Sequence, residues 1–342
     1  MRIIVDAMGG DNAPMAAVEG AVIAAREFDT GIILTGRVEE ILKCFEALGE
    51  KELPRGIEIA DAPEVVEMED DPASVIRTKP DSSMAVGLKM LRDGAADAMV
   101  SAGSTGALLS GATLITKRIR GIRRAALAPF LPNKGDGVLL IDCGANAECN
   151  PEYLLQFAFM GSYYAKTMLG FESPSVGLLN IGAEETKGTE LQRGSYALLR
   201  AAGDAGRINF VGNVEAREVM LGACDVIVTD GFSGNIFLKG MEGVGMFIMS
   251  EVKNVFMKSK KTKIAAAMVK DELSALKKKM DPSEIGGTAL LGISKPVIKA
   301  HGSSDAYAIR SAIMQAINTA KSGVTALIEE NIGYMRLSGG EE

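Results

Sequence analysis

Glycine, short hydroxyl and amide side chains, and isolated charges recur where the apolar runs of this sequence stop. The run RIIVD leads into Asp6, Gly9, Gly10, Asp11 and Asn12, and DAMV into Ser101, Gly103, Ser104 and Thr105. VLLI meets Asp142, Gly144 and Asn146; SVGLL meets Asn180, Glu184 and Lys187; DVIV meets Asp230, Ser233, Gly234 and Asn235. Near the C-terminus stand His301, Ser303, Ser304 and Asp305. Most are neutral hydrogen-bonding groups, and Lys187 is the cation inside a glycine-flanked loop, NIGAEETKG. Glycine turns let backbone N–H groups approach an anion, and a following helix N-terminus adds its dipole. Such a set can hold inorganic phosphate without binding it too tightly to react. If phosphate is itself the nucleophile, no side chain has to become one. Lys187 would then neutralise charge, while N–H groups support the oxyanion formed at the attacked carbonyl.

Each residue also has an ordinary reading. Lys187 can be a solvated loop lysine, and His301 either an acid or base or a hydrogen-bonded histidine ahead of a helix cap. Cys143 raises the alternative of an acyl thioester on the protein. Against that, free cysteine is usually buried, and no histidine lies nearby in sequence to activate it. His301 is the only histidine, which excludes mechanisms needing two imidazoles or a metal held mainly by imidazole. No G-x-x-x-x-G-K-[ST] motif occurs, and MGGD does not complete G-x-G-x-x-G, so the expectation is an anion site without an obvious nucleotide cofactor, although other nicotinamide folds lack that fingerprint.

Positioning these ends requires buried strands. The segments 2–7, 31–36, 56–62, 97–103, 137–146, 175–182, 207–213 and 224–235 contain short apolar runs, and segments such as AAVEGAVIAAREF between them have helical spacing. Strands apolar on both faces indicate a mostly parallel sheet covered on both sides, a three-layer αβα protein of the α/β class. Its strand ends would form one shared crevice. With 342 residues, 47% of them hydrophobic, and no low-complexity linker, residues 1–342 read as a single α/β domain. The net charge of −7 gives no reason to expect nucleic acid. Four scattered cysteines, no apolar leader and no run of about 18 apolar residues point to the cytoplasm.

Eight blocks together carry a family resemblance: DAMGGDNAP, SAGSTGALL, ALAPFLP, LLIDCGANAE, VGLLNIGAEETKG, NFVGNVEARE, DVIVTDGFSGN and KAHGSSDA. From residue 2 to about 315 the chain resembles the PlsX family, phosphate acyltransferases that convert acyl-acyl-carrier-protein and phosphate into acyl phosphate for phospholipid synthesis. The resemblance implies a sheet topology similar to the isopropylmalate dehydrogenase and phosphotransacetylase folds, a homodimer, no metal, and a downstream membrane glycerol-3-phosphate acyltransferase. It also implies Lys187 and Asn235 as the functional pair. Two positions depart from the family: Asn12 stands where GGDHAP is usual, and Ser104 where SAGNTG is usual. Rival readings are a coenzyme A-dependent phosphotransacetylase, a metal- and nicotinamide-dependent decarboxylating dehydrogenase, and a noncatalytic membrane scaffold.

Two basic segments complete the reading. Residues 244–285 read as a lysine-rich helical extension within the domain. From Lys253 to Met280 nine lysines face Asp271 and Glu272, a local charge of +7 that leaves −14 on the rest of the chain. Val269, Leu273, Leu276 and Met280 predict an apolar stripe, preceded by Ile264 to Val269 with Met268. With Lys260, Lys261 and Lys263 beside it, this helix could lie on an anionic membrane surface, giving peripheral association, or pack at a dimer interface. The second segment, KRIRGIRR, holds Lys117, Arg118, Arg120, Arg123 and Arg124 among eight positions. It reads either as a docking surface for the strongly acidic acyl carrier protein or as a solvated helix end.

Overall fold

The computed structural model describes residues 1–280 and 286–335. The last five positions of the 244–285 extension, and the side chain of Met280, lie outside the described residues. The strands are β1 (Arg2–Asp6), β2 (Gly31–Gly36), β3 (Ile57–Asp61), β4 (Ala98–Ser101), β5 (Ala126–Ala128) and β6 (Phe130–Leu131). They continue with β7 (Val138–Ile141), β8 (Ser175–Asn180), β9 (Asn209–Glu215), β10 (Val226–Val228), β11 (Thr288–Leu291) and β12 (Val297–Lys299). They form two sheets, where the sequence suggests one.

The first sheet has the order β3-β2-β1-β4-β12-β11-β5, parallel from β3 to β12 and antiparallel through β11 to β5. The second has the order β6-β7-β10-β8-β9, with β7, β10, β8 and β9 parallel and β6 antiparallel. Successive side chains of a strand point to opposite faces. Accordingly Ile3, Val5, Val100, Leu139, Ile141, Val226 and Val228 join one buried apolar cluster, with Phe157 and Phe159 of the helix Pro151–Met168. Ile4, Met99, Val138, Leu140 and Ile227 join the other. Both clusters take residues from both sheets, so the two sheets share their covering layers. This is the α/β architecture with helices on both faces that the apolar runs indicate.

The polar strand ends hold the structure before they hold anything else. Ser104, Asp230 and Asp305 cap the helices Thr105–Gly111, Gly231–Met257 and Ala306–Ser322, accepting from the N–H groups of Ala107, Ser233 and Ala308. A capping side chain supplies one of the acceptors that the first turn lacks. Asp142 does more. Its fully buried carboxylate accepts from the N–H groups of Leu127, Cys143, Ala145 and Asn146, at 2.7–3.2 Å, and from Asn146 Nδ2 at 2.9 Å. Leu127 belongs to β5, and Asn146 Nδ2 also donates to the Ala125 carbonyl at 2.8 Å, so this loop fastens the second sheet to the edge of the first.

The helix Gly231–Met257 starts against that loop. A Cβ on Gly234 would lie 1.9 Å from the Asp142 carbonyl oxygen, far inside van der Waals contact. Gly234→Ala should therefore cost about 1–3 kcal/mol of stability, the usual cost of overpacking. Denaturant unfolding beside Ser233→Ala checks this, and an unchanged midpoint would show that the approach is not a constraint.

Candidate functional site

The predicted residues separate by sheet. Asp6, Gly9, Gly10, Asp11, Ser101, Gly103, Ser104, Thr105 and His301 lie at or beyond the carboxyl ends of β1, β4 and β12 in the first sheet. Asp142, Gly144, Asn146, Lys187, Ser233, Gly234 and Asn235 lie beyond the ends of β7, β8 and β10 in the second. The residues that the sequence reading assigns to one crevice are thus contributed by two sheets, joined through the contact of Asp142 with β5.

In the second group Lys187 and Asn235 are exposed, Asp142 is buried and Asn146 half-buried. Asn235 is exposed on the first turns of the helix Gly231–Met257, and a Cβ on Gly144 would lie 3.8 Å from its amide carbon. Lys187 is exposed on the loop after β8, next to β10 in the sheet. That loop is pinned by Asn180, whose Oδ1 accepts from Ile181 N at 2.8 Å and whose Nδ2 donates to the Lys187 carbonyl at 3.2 Å. Lys187 N in turn donates to the Glu184 carbonyl at 3.1 Å. The structure corrects one assignment here: Asp142 is not placed to bind phosphate, because five N–H donors already occupy its oxygens. Asn146, with its amide donated to Ala125 and Asp142, shares that supporting task. Cys143 is buried, and burial together with the Asp142 charge holds its thiol far above the ordinary range, which disfavours the nucleophilic thiolate.

The first group has the same two tiers. Asp6 is buried, and its carboxylate accepts from Ser101 Oγ at 2.7 Å and from Met8 N at 3.3 Å. Burial pushes its pKa upward against those hydrogen bonds. Ser101 Oγ accepts in turn from Gly103 N at 3.1 Å. Gly10, with φ +101°, turns the chain against Ala102 and Gly302, a backbone conformation that suits glycine. Asp11 and Thr105 are exposed at the rim. A cavity of about 250 Å³, lined in part by Met8, Gly10, Asp11, Glu67 and Gly103, opens beside them. Asn12 Nδ2 donates to the carbonyls of Ser303 and Ser304 at 3.1 and 3.2 Å, so the amide that replaces the usual histidine tethers the His301 loop. His301 is exposed; Ser303 N donates to its Nδ1 at 3.3 Å, and Ser303 Oγ lies 2.9 Å from it. The hydrogen of the neutral ring is thereby assigned to Nε2.

Lys299 was missed by the sequence reading. Its ammonium donates to the Ala102 carbonyl at 3.1 Å and to the Ala300 carbonyl, beneath both loops of the first group. The available signal was a lysine ending an apolar run just before the KAHG block. What buries it comes from β1 and β4, distant in sequence.

The basic segments also differ from their sequence reading. KRIRGIRR is a loop, entered through a π-turn over Ala112–Thr116 and a left-handed Lys117, φ +73°. Ile119 and Ile122 anchor it in the core, while Lys117, Arg120, Arg123 and Arg124 are exposed and Arg118 is half-buried. Arg123 pairs with Glu152 at 3.4 Å, and the Arg124 guanidinium lies 5.6 Å from the Tyr153 ring centroid. The lysine-rich segment is not one helix. Gly231–Met257 is followed by Lys260–Met268 and Lys270–Met280, with Val269 at the break in a non-helical conformation. Ser259 starts the second helix through a reciprocal capping pair with Thr262. Lys260, Lys261, Lys263, Ile264, Met268, Val269 and Leu276 are exposed and Leu273 is half-buried. No helix among the described residues is long and apolar enough to cross a membrane.

Comparison with known proteins agrees with this architecture. Residues 1–327 match the family model described as "Fatty acid synthesis protein". The chain is 47% identical over 334 residues to a phosphate acyltransferase of Clostridioides difficile, covering 97% of this chain and 96% of that one. It is 46% identical over 334 residues to a phosphate acyltransferase of Brevibacillus brevis, with 97% of each chain covered. Among solved structures, a phosphotransacetylase from Streptococcus pyogenes superposes with a TM-score of 0.63 at 19% identity over 94% of both chains, which speaks to the fold alone. With its strand-end loops intact and its match running nearly end to end, the chain belongs to the fatty acid synthesis protein family and stands there among the phosphate acyltransferases, enzymes of acyl transfer.

Proposed function

We propose that this chain transfers the acyl group of an acyl-acyl-carrier-protein thioester to inorganic phosphate, giving acyl phosphate for phospholipid synthesis. The observation that carries this reading is the two-tier site. Exposed Lys187 and Asn235 stand at the ends of neighbouring parallel strands, while of the two cysteines of that region Cys143 is buried, Cys149 is half-buried, and burial with the Asp142 charge pushes both thiols well above their ordinary range. A site that orients a nucleophile without containing one suits phosphate as the attacking group.

Phosphate oxygen adds to the thioester carbonyl, the C–S bond breaks, and the proton of hydrogen phosphate ends on the departing thiolate. Lys187 offsets the phosphate charge. The Asn235 amide, on the first turns of a helix whose Ser233 and Gly234 N–H groups are held by Asp230, orients phosphate or the developing oxyanion. The turns at Gly9, Gly10, Asp11, Ser101, Gly103, Ser104, Thr105, Gly144 and His301 complete the substrate cleft, with Asp6, Asp142 and Asn146 holding them in place. Neither metal nor cofactor takes part.

The KRIRGIRR loop is the docking surface for acyl carrier protein: its buried isoleucines fix a row of exposed basic side chains that an acidic partner would meet. The lysines and apolar side chains of residues 260–276 meet an anionic membrane surface, where the downstream glycerol-3-phosphate acyltransferase would take the product. The helix Gly231–Met257 exposes Phe232, Ile236, Val244, Met246 and Phe247, a burden of apolar surface that supports a homodimer.

Purified protein incubated with phosphate and acyl-acyl-carrier-protein should yield acyl phosphate by mass spectrometry, and acyl coenzyme A should not replace the donor. Product from coenzyme A alone would favour a phosphotransacetylase instead. Lys187→Ala and Asn235→Ala should each lower turnover by at least about 100-fold with unfolding midpoints unchanged, in line with the loss of one oxyanion-stabilising donor; wild-type turnover would remove their roles. Arg123→Glu with Arg124→Glu should raise KM for the carrier protein about tenfold or more at low salt and leave kcat alone, whereas an unchanged KM removes the docking surface. Charge reversal at Lys260, Lys261 and Lys263 should abolish flotation with anionic vesicles, since each lysine near such a surface contributes about 1 kcal/mol. Flotation that survives the reversal and is insensitive to salt would count against membrane binding here.

A further inference from the structure

Lys299 has no part in the chemistry described so far, yet the ends of three strands converge on it. It closes β12, which lies beside β4, and β4 lies beside β1. Its ammonium donates to the carbonyls of Ala102, after β4, and Ala300, after β12. Ala300 N donates to the Ser101 carbonyl at 2.9 Å, and Asp11 N to the Gly302 carbonyl at 2.8 Å, so the same loops are also laced by backbone bonds. A Cβ on Gly9 would lie 2.6 Å from Gly103 N and 2.8 Å from Asp6 Oδ2, which shows how closely the first turn is pressed onto the second. Among the described residues the Gly10 N–H has no protein acceptor. Across a trans peptide the carbonyl and N–H point opposite ways. Drawing the Ala300 carbonyl towards Lys299 therefore turns the His301 N–H away from it.

The charges pose a problem that Lys299 answers. Asp6 from β1 and Asp11 from the turn after it are the carboxyl groups whose charge acts on this lysine, and a carboxylate beside an anion site would repel phosphate. We propose that Lys299 is the positioning residue of a phosphate-binding turn formed by the Gly9–Gly10 and His301 loops, its charged form drawing in the carbonyls of Ala102 and Ala300 and offsetting Asp6 and Asp11. This rests on phosphate being the substrate. Phosphate is then bound well only while Lys299 is protonated. Burial lowers its pKa from the ordinary lysine value of 10.5 to about 8, partly countered by the two aspartates, so the loss falls in an accessible range.

The test compares the wild type with Lys299→Arg and Lys299→Met from pH 6.5 to 9.5, measuring KM for phosphate, KM for the acyl donor, and broadening of the ³¹P resonance of inorganic phosphate. Phosphate's own titration is common to all three proteins and cancels in their ratios. Above pH about 8 the wild-type KM for phosphate should rise relative to that of Lys299→Arg by about tenfold per unit, the signature of one proton. Lys299→Met should show a KM for phosphate raised about tenfold or more without that alkaline rise, and an unaltered KM for the donor. Stability separates a role in folding. Between pH 8 and 10.5 the unfolded chain binds the proton that the native lysine has lost, so the wild type should gain stability relative to Lys299→Met as pH rises. A wild-type phosphate KM and profile in folded Lys299→Met would overturn the proposal, as would a methionine variant that shifts both KM values together while the arginine variant keeps the alkaline rise. If the wild type broadens the phosphate resonance but makes no acyl phosphate, the reaction assigned above fails, and Lys299 is judged on binding alone by the same ratios. Absence of phosphate binding by the wild type would overturn both.

Discussion

The carboxylate of Asp142 is the constraint on which the second half of the molecule depends. Burial pushes the pKa of this carboxyl upward, and the five N–H groups from β5, the 143–146 turn and the Asn146 side chain that converge on it oppose that push. That single group joins the two sheets, sets the path of the loop after β7, and leaves only glycine able to occupy positions 231 and 234 where the next helix begins. Asn235 is where it is because Gly234 can touch the Asp142 backbone. Asp6 plays a similar part in the first sheet through Ser101, and burial raises its pKa as it does that of Asp142. Both aspartates stand at strand ends and look, in sequence, like ligands. Their work is to hold the turns from which ligands would be met.

Much of the fold was legible. Eight of the apolar runs hold strands, because a strand buried on both faces needs apolar residues at every position, and that is a local signal. The strands β5, β6, β11 and β12 were not legible: each has two to four residues, β5 and β6 are parted by Pro129, and β11 and β12 draw their stability from partners far along the chain. The division into two sheets was hidden for the same reason, since local periodicity says how a strand is covered and not which neighbour it takes. Loops rich in glycine and amides drew attention to the segments that hold Lys187 and Asn235, and the resemblance singled out the pair. Lys299 could not be found that way, because a lysine ending a strand is ordinary until β1 and β4 close over it.

The lysine-rich arm shows a different limit. Its composition pointed to an apolar stripe between Val269 and Met280, yet the greater apolar exposure lies earlier, on Phe232, Ile236, Val244, Met246 and Phe247. Those residues sit among glycines and look, in sequence, like the core of a long helix. The structure leaves them exposed on the helix that carries Asn235. The N-terminal end of this helix is locked by Asp230 and Asp142, and beyond its far end a second helix, Lys260–Met268, carries the exposed lysines.

The central claim is that phosphate attacks the thioester directly and the protein never carries the acyl group. The most direct measurement is exchange of label between acyl-acyl-carrier-protein and free, isotopically labelled carrier protein. Direct attack predicts no exchange without phosphate, and exchange that appears with phosphate through reversal of the reaction. Exchange of comparable rate in the absence of phosphate would reveal an acyl-enzyme, and the account given for Lys187, Asn235 and the unreactive Cys143 would be wrong.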